Sequence, residues 1–130
     1  MMSDKELFEA AKKAAQCAYS PYSGVCVGAV AVGESGRHFT GCNIENASYG
    51  LTVCAERVAL FSMVASGETS LVKMAVCVVG ADGDTLSPEP CGACLQCLAE
   101  FGSDDLVIVT GPDTTRVLRD HLPRPFRLSP

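Results

Sequence analysis

Apolar residues recur along the chain with two different spacings, and the change between them predicts where helices and strands alternate. Ser3 and Glu6 form a capping-box pattern at the start of a helix. The apolar positions after them follow a helical period, which predicts an amphipathic helix over residues 4–18; they are Leu7, Phe8, Ala11, Ala14 and Ala15.

The next segment, 20–52, combines a predicted hairpin with a polar stretch. Residues 20–24 contain Pro and Gly and end the first helix. Val25 to Val32 is a nearly continuous apolar run, which predicts a buried strand, and Arg37 to Cys42 pairs back on it across a turn at 33–36. Residues 43–52 are polar and irregular.

Helical and extended patterns then alternate to the end of the chain. The pattern predicts a helix from Cys54 to about Ala65 that ends at Gly67, a strand over 72–79, a helix over 91–101 before Gly102, and a strand over 106–110. Asp113 is expected to cap a short helix through His121. This order predicts a three-layer α/β domain with a mixed sheet, as one domain over residues 1–130.

Composition and charge exclude several classes of function. The 130 residues are 48% hydrophobic and carry a net charge of −5. Without a basic patch, the chain does not fit a protein that binds a nucleic-acid polymer. The amino terminus lacks the apolar core of a signal peptide, and no apolar run is long enough to span a membrane. A cytoplasmic protein that binds a small neutral molecule is therefore expected.

Eight cysteines in a cytoplasmic chain indicate metal or catalytic chemistry before disulfides, since thiols stay reduced there. Free cysteine also behaves as a small buried hydrophobe. That second interpretation is expected for five of the eight, namely Cys17, Cys26, Cys42, Cys77 and Cys97.

The other three cysteines have the spacing of metal ligands. Cys91 and Cys94 are separated by two residues at a predicted helix start, and Cys54 lies at another, where free N–H groups favour thiolate. Three thiolates with one open coordination position would make a catalytic zinc site. The Cys-x-x-Cys motif alone also fits a redox pair, or half of a structural zinc site with Cys97 as a fourth ligand.

Glu56 and Arg57 favour the catalytic interpretation. A carboxylate two residues past a ligand can reach the open position and move protons there, while a catalytic zinc makes water nucleophilic near neutral pH. Three thiolates leave a divalent ion with excess negative charge, which Arg57 could offset by donating to the sulfurs. Without the neighbouring cysteine motifs, either residue would be interpreted as an exposed charge in the first turn of the predicted helix.

Longer motifs extend this constellation over nearly the whole chain. They are Ser20-Pro21-Tyr22-Ser23 with Val27-Gly28-Ala29, the run from Gly41 to Thr52, Cys54-Ala55-Glu56-Arg57, Pro90-Cys91-Gly92-Ala93-Cys94, and Leu122-Pro123 with Phe126. In these motifs the chain resembles the cytidine deaminases of the small homotetrameric type, whose wider signature places a Glu two residues after the first ligand and a later Pro-Cys-x-x-Cys.

The resemblance implies a fold and a reaction. It implies a three-layer α/β/α domain with a mixed five-stranded sheet, and hydrolytic deamination of cytidine, 2′-deoxycytidine or both. It also implies one Zn²⁺ per subunit held by Cys54, Cys91 and Cys94, with Glu56 as the catalytic proton carrier.

The same resemblance implies how the substrate is bound. Asn43 and Glu45 would bind the ribose hydroxyls, and the Ala55 N–H would meet the base carbonyl. Tyr49 and Phe126 would line the pocket from neighbouring subunits, so the site is expected to be completed in a homotetramer.

Three positions depart from the family pattern. Val25 stands where an aromatic residue is usual, Leu95 where an Arg follows the last ligand, and Glu89 where Ser precedes the Pro. Val25 keeps open a second hypothesis, a deaminase of another cytosine nucleoside or a nucleoside antibiotic. A non-catalytic zinc module is a third. The two histidines, His38 and His121, are interpreted as ordinary surface or strand residues.

Overall fold

The computed structural model describes residues 2–86 and 88–128 as a mixed sheet with helices on both faces. The strands are β1 (Cys26–Gly33), β2 (His38–Cys42), β3 (Leu71–Val79), β4 (Thr85–Leu86), β5 (Val107–Gly111) and β6 (Thr114–Val117). The α-helices are α1 (Asp4–Ala14), α2 (Ala55–Ala65), α3 (Gly92–Phe101) and α4 (Leu118–His121), and short 3₁₀ turns cover Ala15–Cys17 and Tyr49–Leu51.

Five strands form the main path of the sheet, in the order β2-β1-β3-β5-β6, and β4 pairs with the far end of β3. The β3–β5 pair is parallel and the others are antiparallel. The predicted α/β/α fold with a mixed five-stranded sheet is therefore confirmed, and the two-residue β4 is the addition.

Side chains along β1 point alternately to the two faces of the sheet and so contribute to two separate apolar cores. Val30 and Val32 face α1, with Leu7 and Phe8, on one side of the sheet. Ala29 and Ala31 face α2 and α3 on the other. Successive side chains of a strand point to opposite faces, so one continuous apolar run serves both layers.

The prediction of a helix from Asp113 to His121 is wrong for the first half of this segment. Pro112 and Asp113 form a tight turn, and Thr114–Val117 returns antiparallel to β5 as an edge strand. Only Leu118–His121 is helical. Three of the four β6 residues are β-branched, which favours a strand once β5 offers a partner.

The five cysteines expected in the core differ in their burial. Cys77 is buried, Cys26, Cys42 and Cys97 are half-buried, and Cys17 is exposed, so that expectation is wrong for Cys17. All eight cysteines are free thiols. Among the described residues, no helix has both the length and the apolar character needed to cross a bilayer.

Two glycines of the hairpin allow the helices to approach the sheet. A Cβ at Gly28 would overlap the backbone of α1 at Ala11, and one at Gly41 would lie 2.7 Å from the carbonyl oxygen of Ala55 in α2. Backbone atoms cannot move aside as a flexible side chain can. The position of α2, which begins at the candidate site, therefore depends on Gly41.

We expect Gly28→Ala to lower the free energy of unfolding by about 3 kcal/mol, because the new methyl group would push α1 off the sheet. Urea unfolding followed by circular dichroism measures this change. Gly50→Ala is the control, since a Cβ there meets nothing within 4 Å. Equal stability of the two variants would contradict the proposed close approach.

Candidate active site and metal centre

Two helix starts bring three sulfur atoms together. Cys54 is the N-cap of α2 and Cys91 is the N-cap of α3, with Cys94 in the first turn of that helix. The Sγ atoms of Cys54 and Cys91 are 3.9 Å apart, and all three sulfurs lie within 4.8 Å of one another. The Cys94 N–H donates to the Cys91 sulfur at 3.4 Å. The structure thus assembles the predicted ligand set.

The donor set fits zinc in chemistry and in spacing. Thiolates are preferred zinc ligands, with Zn–S bonds of about 2.3 Å, so two sulfurs of a tetrahedral site lie about 3.8 Å apart. The Cys54–Cys91 separation of 3.9 Å is close to that value. Three protein ligands leave one tetrahedral position for a non-protein ligand, as in catalytic rather than structural zinc sites.

Cys97 does not join this group. It is half-buried and packs against the apolar core between the sheet and α2 and α3. The metal-ligand cluster found among the described residues contains only Cys54, Cys91 and Cys94. The four-thiolate structural site, considered from the sequence alone, therefore has no geometric support.

Arg57 stabilises negative charge on the cluster. Its guanidinium donates to the Cys54 sulfur at 3.5 Å, while its buried Nε has no partner among the described residues. A hydrogen bond from the Cys94 thiol is the main cause that lowers the pKa of Cys54 to about 5, and Arg57 contributes. The same contact with Cys54, together with burial, raises the pKa of Cys94. The Cys54 thiol therefore loses its proton more readily than the Cys94 thiol does.

Leu95, where the family pattern has an Arg, is buried in the apolar core with Leu98. A guanidinium at this position would have to leave that core to reach the sulfurs. Arg57 is accordingly the one arginine that contacts the cluster in the described part of the chain.

Glu56 is a buried carboxyl group beside the cluster. It lies in the first turn of α2 and is 5% exposed. Burial raises its pKa, and the neighbouring Cys54 thiolate adds to this effect, while its own backbone N–H and Arg57 oppose it. A carboxyl group with a raised pKa can both accept and return a proton near neutral pH, as a general acid–base group must.

A cavity of about 370 Å³ opens beside Glu56 and the sulfurs. One wall is apolar and is formed by Val25, Val27, Val76, Val78 and Pro88. Its polar lining comes from Ser23, Asn43, Thr52, Glu56 and Glu89, with Cys54 and Cys91 at the metal centre. This volume and mixture suit a small polar ligand with an apolar face.

A larger depression of about 480 Å³ lies elsewhere, between the β1–β2 hairpin and the end of α2. It is open, and its lining includes Ser35 and Glu68, which hydrogen-bond each other. It contains none of the cluster residues, so the smaller cavity is the better candidate for chemistry.

Asn43 and Glu45 both make contacts within the chain. The Asn43 side chain accepts from the Val27 N–H at 2.8 Å and donates to the Val25 carbonyl at 2.9 Å. Glu45 accepts from the N–H groups of Tyr22 and Ser23 and from the Ser23 hydroxyl. The Ser23 hydroxyl bond is the main cause that lowers the pKa of Glu45, so this carboxylate is ionised near neutral pH.

These contacts place the two residues differently with respect to the cavity. Asn43 lines the cavity that holds Glu56, whereas Glu45 lines an adjoining one of about 230 Å³ with Tyr22 and Tyr49. Ser23 and Thr52 line both, so the two cavities are neighbours that share part of a wall.

The remaining predicted site residues fall into two sets. Ala55 is buried at the first position of α2, where its N–H has no partner within the helix, and Val25 lines the cavity with Glu56. Tyr49 and Phe126 are 77% and 69% exposed, and neither lines that cavity. Tyr49 packs edge-on against Tyr22, and the Phe126 carbonyl accepts from Gln96.

Sequence reasoning missed one contact next to the metal-binding motif. His121 was interpreted as an ordinary residue away from any motif, which is wrong: its Nδ1 lies 3.5 Å from the carboxylate of Glu89, directly before the Pro90-Cys91 pair. Glu89 itself lines the cavity. The sequence signal was the unusual Glu beside the motif, but the fold alone brings residue 121 to it.

We expect Cys54→Ser to lower the bound zinc well below one ion per chain, because one of three ligands loses its thiolate. Elemental analysis of the purified protein measures the metal content. Cys97→Ser is the matched control and should retain zinc. Full occupancy in Cys54→Ser would contradict the assignment of this ligand.

Comparison with known proteins agrees with this geometry. Residues 1–110 match the family model described as the cytidine and deoxycytidylate deaminase zinc-binding region. The cytidine deaminase of Mycobacterium tuberculosis is 46% identical over 118 residues, which cover 91% of this chain and 85% of that protein. The cytidine deaminase of Sporosarcina psychrophila is 46% identical over 101 residues, covering 77% and 71% of the two chains.

Solved structures give the same result. The crystal structure of cytidine deaminase from Burkholderia pseudomallei matches with a TM-score of 0.84 at 43% identity, over 96% of this chain and all of that one. The one from Mycobacterium tuberculosis matches with a TM-score of 0.83 at 41% identity, over 98% and 100%. With three thiols placed to hold the zinc ion, the chain belongs to the cytidine and deoxycytidylate deaminase family of zinc-dependent hydrolytic enzymes.

Proposed function

We propose that this protein hydrolyses the exocyclic amine of cytidine, 2′-deoxycytidine or both, giving the uracil nucleoside and ammonia. The observation that carries the proposal is a buried carboxyl group, Glu56, beside three convergent thiols at the base of a cavity. Bound at Cys54, Cys91 and Cys94, zinc supplies a Lewis acid that makes water nucleophilic near neutral pH.

Glu56 carries the protons in this reaction. It takes a proton from the attacking water and delivers it to N3 of the cytosine ring, which makes C4 electrophilic. After the remaining hydroxide adds to C4, Glu56 takes the proton of the new C4 hydroxyl and passes it to the amine; the C4–N bond then breaks, ammonia leaves, and C4 becomes a carbonyl. The raised pKa of Glu56, caused mainly by burial, suits a group that must hold and release a proton in turn.

The protein places the nucleoside through the groups around this cavity. The Val25, Val27, Val76 and Val78 side chains offer an apolar wall to the flat face of the base, and the free Ala55 N–H is oriented by the start of α2. Asn43 and Glu45 bind the sugar hydroxyls. Asn43 retains one N–H and one lone pair beyond its two contacts, and Glu45 retains about one acceptor site beyond its three.

A cavity closed by neighbouring subunits is the second part of the proposal. Tyr49 and Phe126 are large side chains that the single chain leaves exposed. A homotetramer would bury them, and they would complete the sites of adjacent subunits. Eight free thiols suit a reducing compartment, which favours the cytoplasm.

We expect Glu56→Gln to keep its zinc but to lose about 10³-fold or more in turnover, since general acid–base groups contribute up to about 10⁴-fold. Loss of cytidine absorbance after addition of the enzyme reports the rate, and elemental analysis confirms the metal. Normal turnover in this variant would exclude Glu56 as the proton carrier. Absence of turnover in the zinc-loaded wild type would favour a different cytosine nucleoside.

We expect Val25→Phe to lower the Michaelis constant for cytidine by about tenfold, because a ring in the cavity adds stacking that Val25 lacks, worth about 1–3 kcal/mol per base. Steady-state kinetics with cytidine test this. Val72→Phe, at a half-exposed position outside the cavity, is the control. An unchanged or higher Michaelis constant would show that the wall has packed around the smaller side chain.

Subunit mixing tests the shared site. Glu56→Gln and Phe126→Ala chains should each be weakly active, and co-refolded mixtures should regain activity, because a mixed assembly contains sites with both Glu56 and a neighbour's Phe126. Light scattering measures the assembly, for which four chains are expected. Mixed assemblies without regained activity would contradict the contribution of Phe126.

A further inference from the structure

A second group of thiols lies on the face of the sheet that packs on α1, opposite the helices that carry the metal ligands. Cys26 and Gly28 alternate along β1 in step with Val30, which belongs to the core under α1. Cys42 pairs with Gly28 across the β1–β2 ladder, so its side chain points to the same face. Cys26 and Cys42 are therefore diagonal neighbours on adjacent strands.

The end of α1 passes over the space between these two cysteines. A Cβ at Gly28 would lie 1.8 Å from the Ala11 carbonyl oxygen and 2.5 Å from the Ala15 nitrogen, so the helix backbone lies directly on that glycine. The 3₁₀ turn Ala15–Cys17 continues from there, and Cys17 is exposed at its end. This turn brings a third thiol to the pair.

The backbone after the turn places Cys17 alongside Cys42. Tyr19 and Ile44 form a parallel bridge, in which the Tyr19 N–H donates to the Asn43 carbonyl at 3.0 Å. Cys17 and Cys42 each precede this bridge by two residues. Bridged segments lie about 4.8 Å apart, and a disulfide joins Cα atoms about 4.4–6.8 Å apart. The spacing of the two segments therefore suits a disulfide between Cys17 and Cys42.

The two thiols differ in their surroundings. Cys17 lines a depression of about 370 Å³ together with Lys13 and Thr40. Thr40 precedes Cys42 by two residues and points to the same face of β2. Burial raises the pKa of Cys42, and the nearby Cys17 and Cys26 thiols add to this effect. The Cys42 thiol therefore stays protonated near neutral pH, and the exposed Cys17 is the thiol that an oxidant reaches first.

We propose that Cys17 and Cys42 form a redox-active pair that exchanges with low-molecular-weight disulfides independently of the metal centre. The thiolate form of Cys17 attacks the small disulfide, which gives a mixed disulfide and releases one small thiol. The Cys42 sulfur then loses its proton and attacks the Cys17 sulfur, which releases the second small thiol and leaves the Cys17–Cys42 disulfide. The pair is oxidised by two electrons, the small disulfide is reduced, and the two protein protons end on the released thiols.

This disulfide fastens the end of α1 to the last residue of β2. Asn43 follows Cys42 directly, and its side chain lines the cavity that holds Glu56. Oxidation thus restrains the segment that carries Asn43 while the three metal ligands keep their thiols. In a reducing compartment, disulfides of this kind are transient and act as redox sensors.

Equilibration of the zinc-loaded protein with oxidised glutathione tests the pair. Proteolysis and mass spectrometry without reduction should find Cys17 linked to Cys42. Elemental analysis of the same sample should find its zinc retained. A reducing agent should restore both free thiols.

Serine variants locate the two steps of the exchange. Cys42→Ser should stop at the mixed disulfide on Cys17, because the second thiol is missing. Cys17→Ser should lower the rate of oxidation by about tenfold or more, because the exposed thiol is missing. Cys26→Ser and Cys97→Ser are the controls, since both retain the pair, and they should form the same disulfide as the wild type.

Other products would overturn the assignment. A link between Cys17 and Cys26, a disulfide between two chains, or a link within the metal cluster that releases zinc would each contradict the proposed pair. A mixed disulfide that persists on Cys17 in the wild type would contradict it as well, since it would show that Cys42 does not reach this sulfur. All of these measurements are independent of turnover, so they hold whether or not the protein deaminates cytidine.

Discussion

The site depends on the convergence of two helix N-termini, those of α2 and α3, on one point. Cys54 and Cys91 are both N-cap residues, and Cys94 follows in the first turn of α3, so the three sulfurs and the positive ends of two helices meet. Free N–H groups and helix dipoles favour thiolate at such a place. A small displacement of either helix would separate the sulfurs, which have to lie about 3.8 Å apart on a tetrahedral ion.

Glycines in the sheet determine how closely α1 and α2 pack on it. Gly41 on β2 allows the backbone of α2 to approach closely, and Gly28 on β1 does the same for α1 on the opposite face. The strands between them carry small or β-branched side chains that serve one core on each side. The close packing of α2 on the sheet therefore also positions Cys54, the ligand at its N-terminus.

Charged side chains surround the metal cluster at different depths. Arg57 contacts the Cys54 sulfur and offsets the negative cluster, and the buried Glu56 keeps a raised pKa at the base of the cavity. The exposed carboxylates of Glu45 and Glu89 line the adjoining cavity and the cavity of Glu56, respectively. Burial therefore controls the proton of Glu56, whereas the exposed carboxylates remain in contact with solvent.

The sequence by itself determined the elements with a strong local signal. The Ser3–Glu6 capping box, the apolar run of β1 and the Cys-x-x-Cys at a helix start were all predicted, and the structure confirms them. Each depends on contacts within a few residues, so a local pattern is sufficient. The family motif around Cys54 and Glu56 added the chemistry, since residue type and spacing limit what can bind a metal.

Only the tertiary structure decided the contacts between distant segments. Thr114–Val117 became a strand because β5 offered a hydrogen-bonding edge, although Asp113 predicted a helix there. His121 came to lie beside Glu89, and Cys97 turned into the apolar core away from the metal cluster. Local sequence sets conformational preferences of at most about 1 kcal/mol for most residues, whereas pairing and burial against a distant segment add more and decide the outcome.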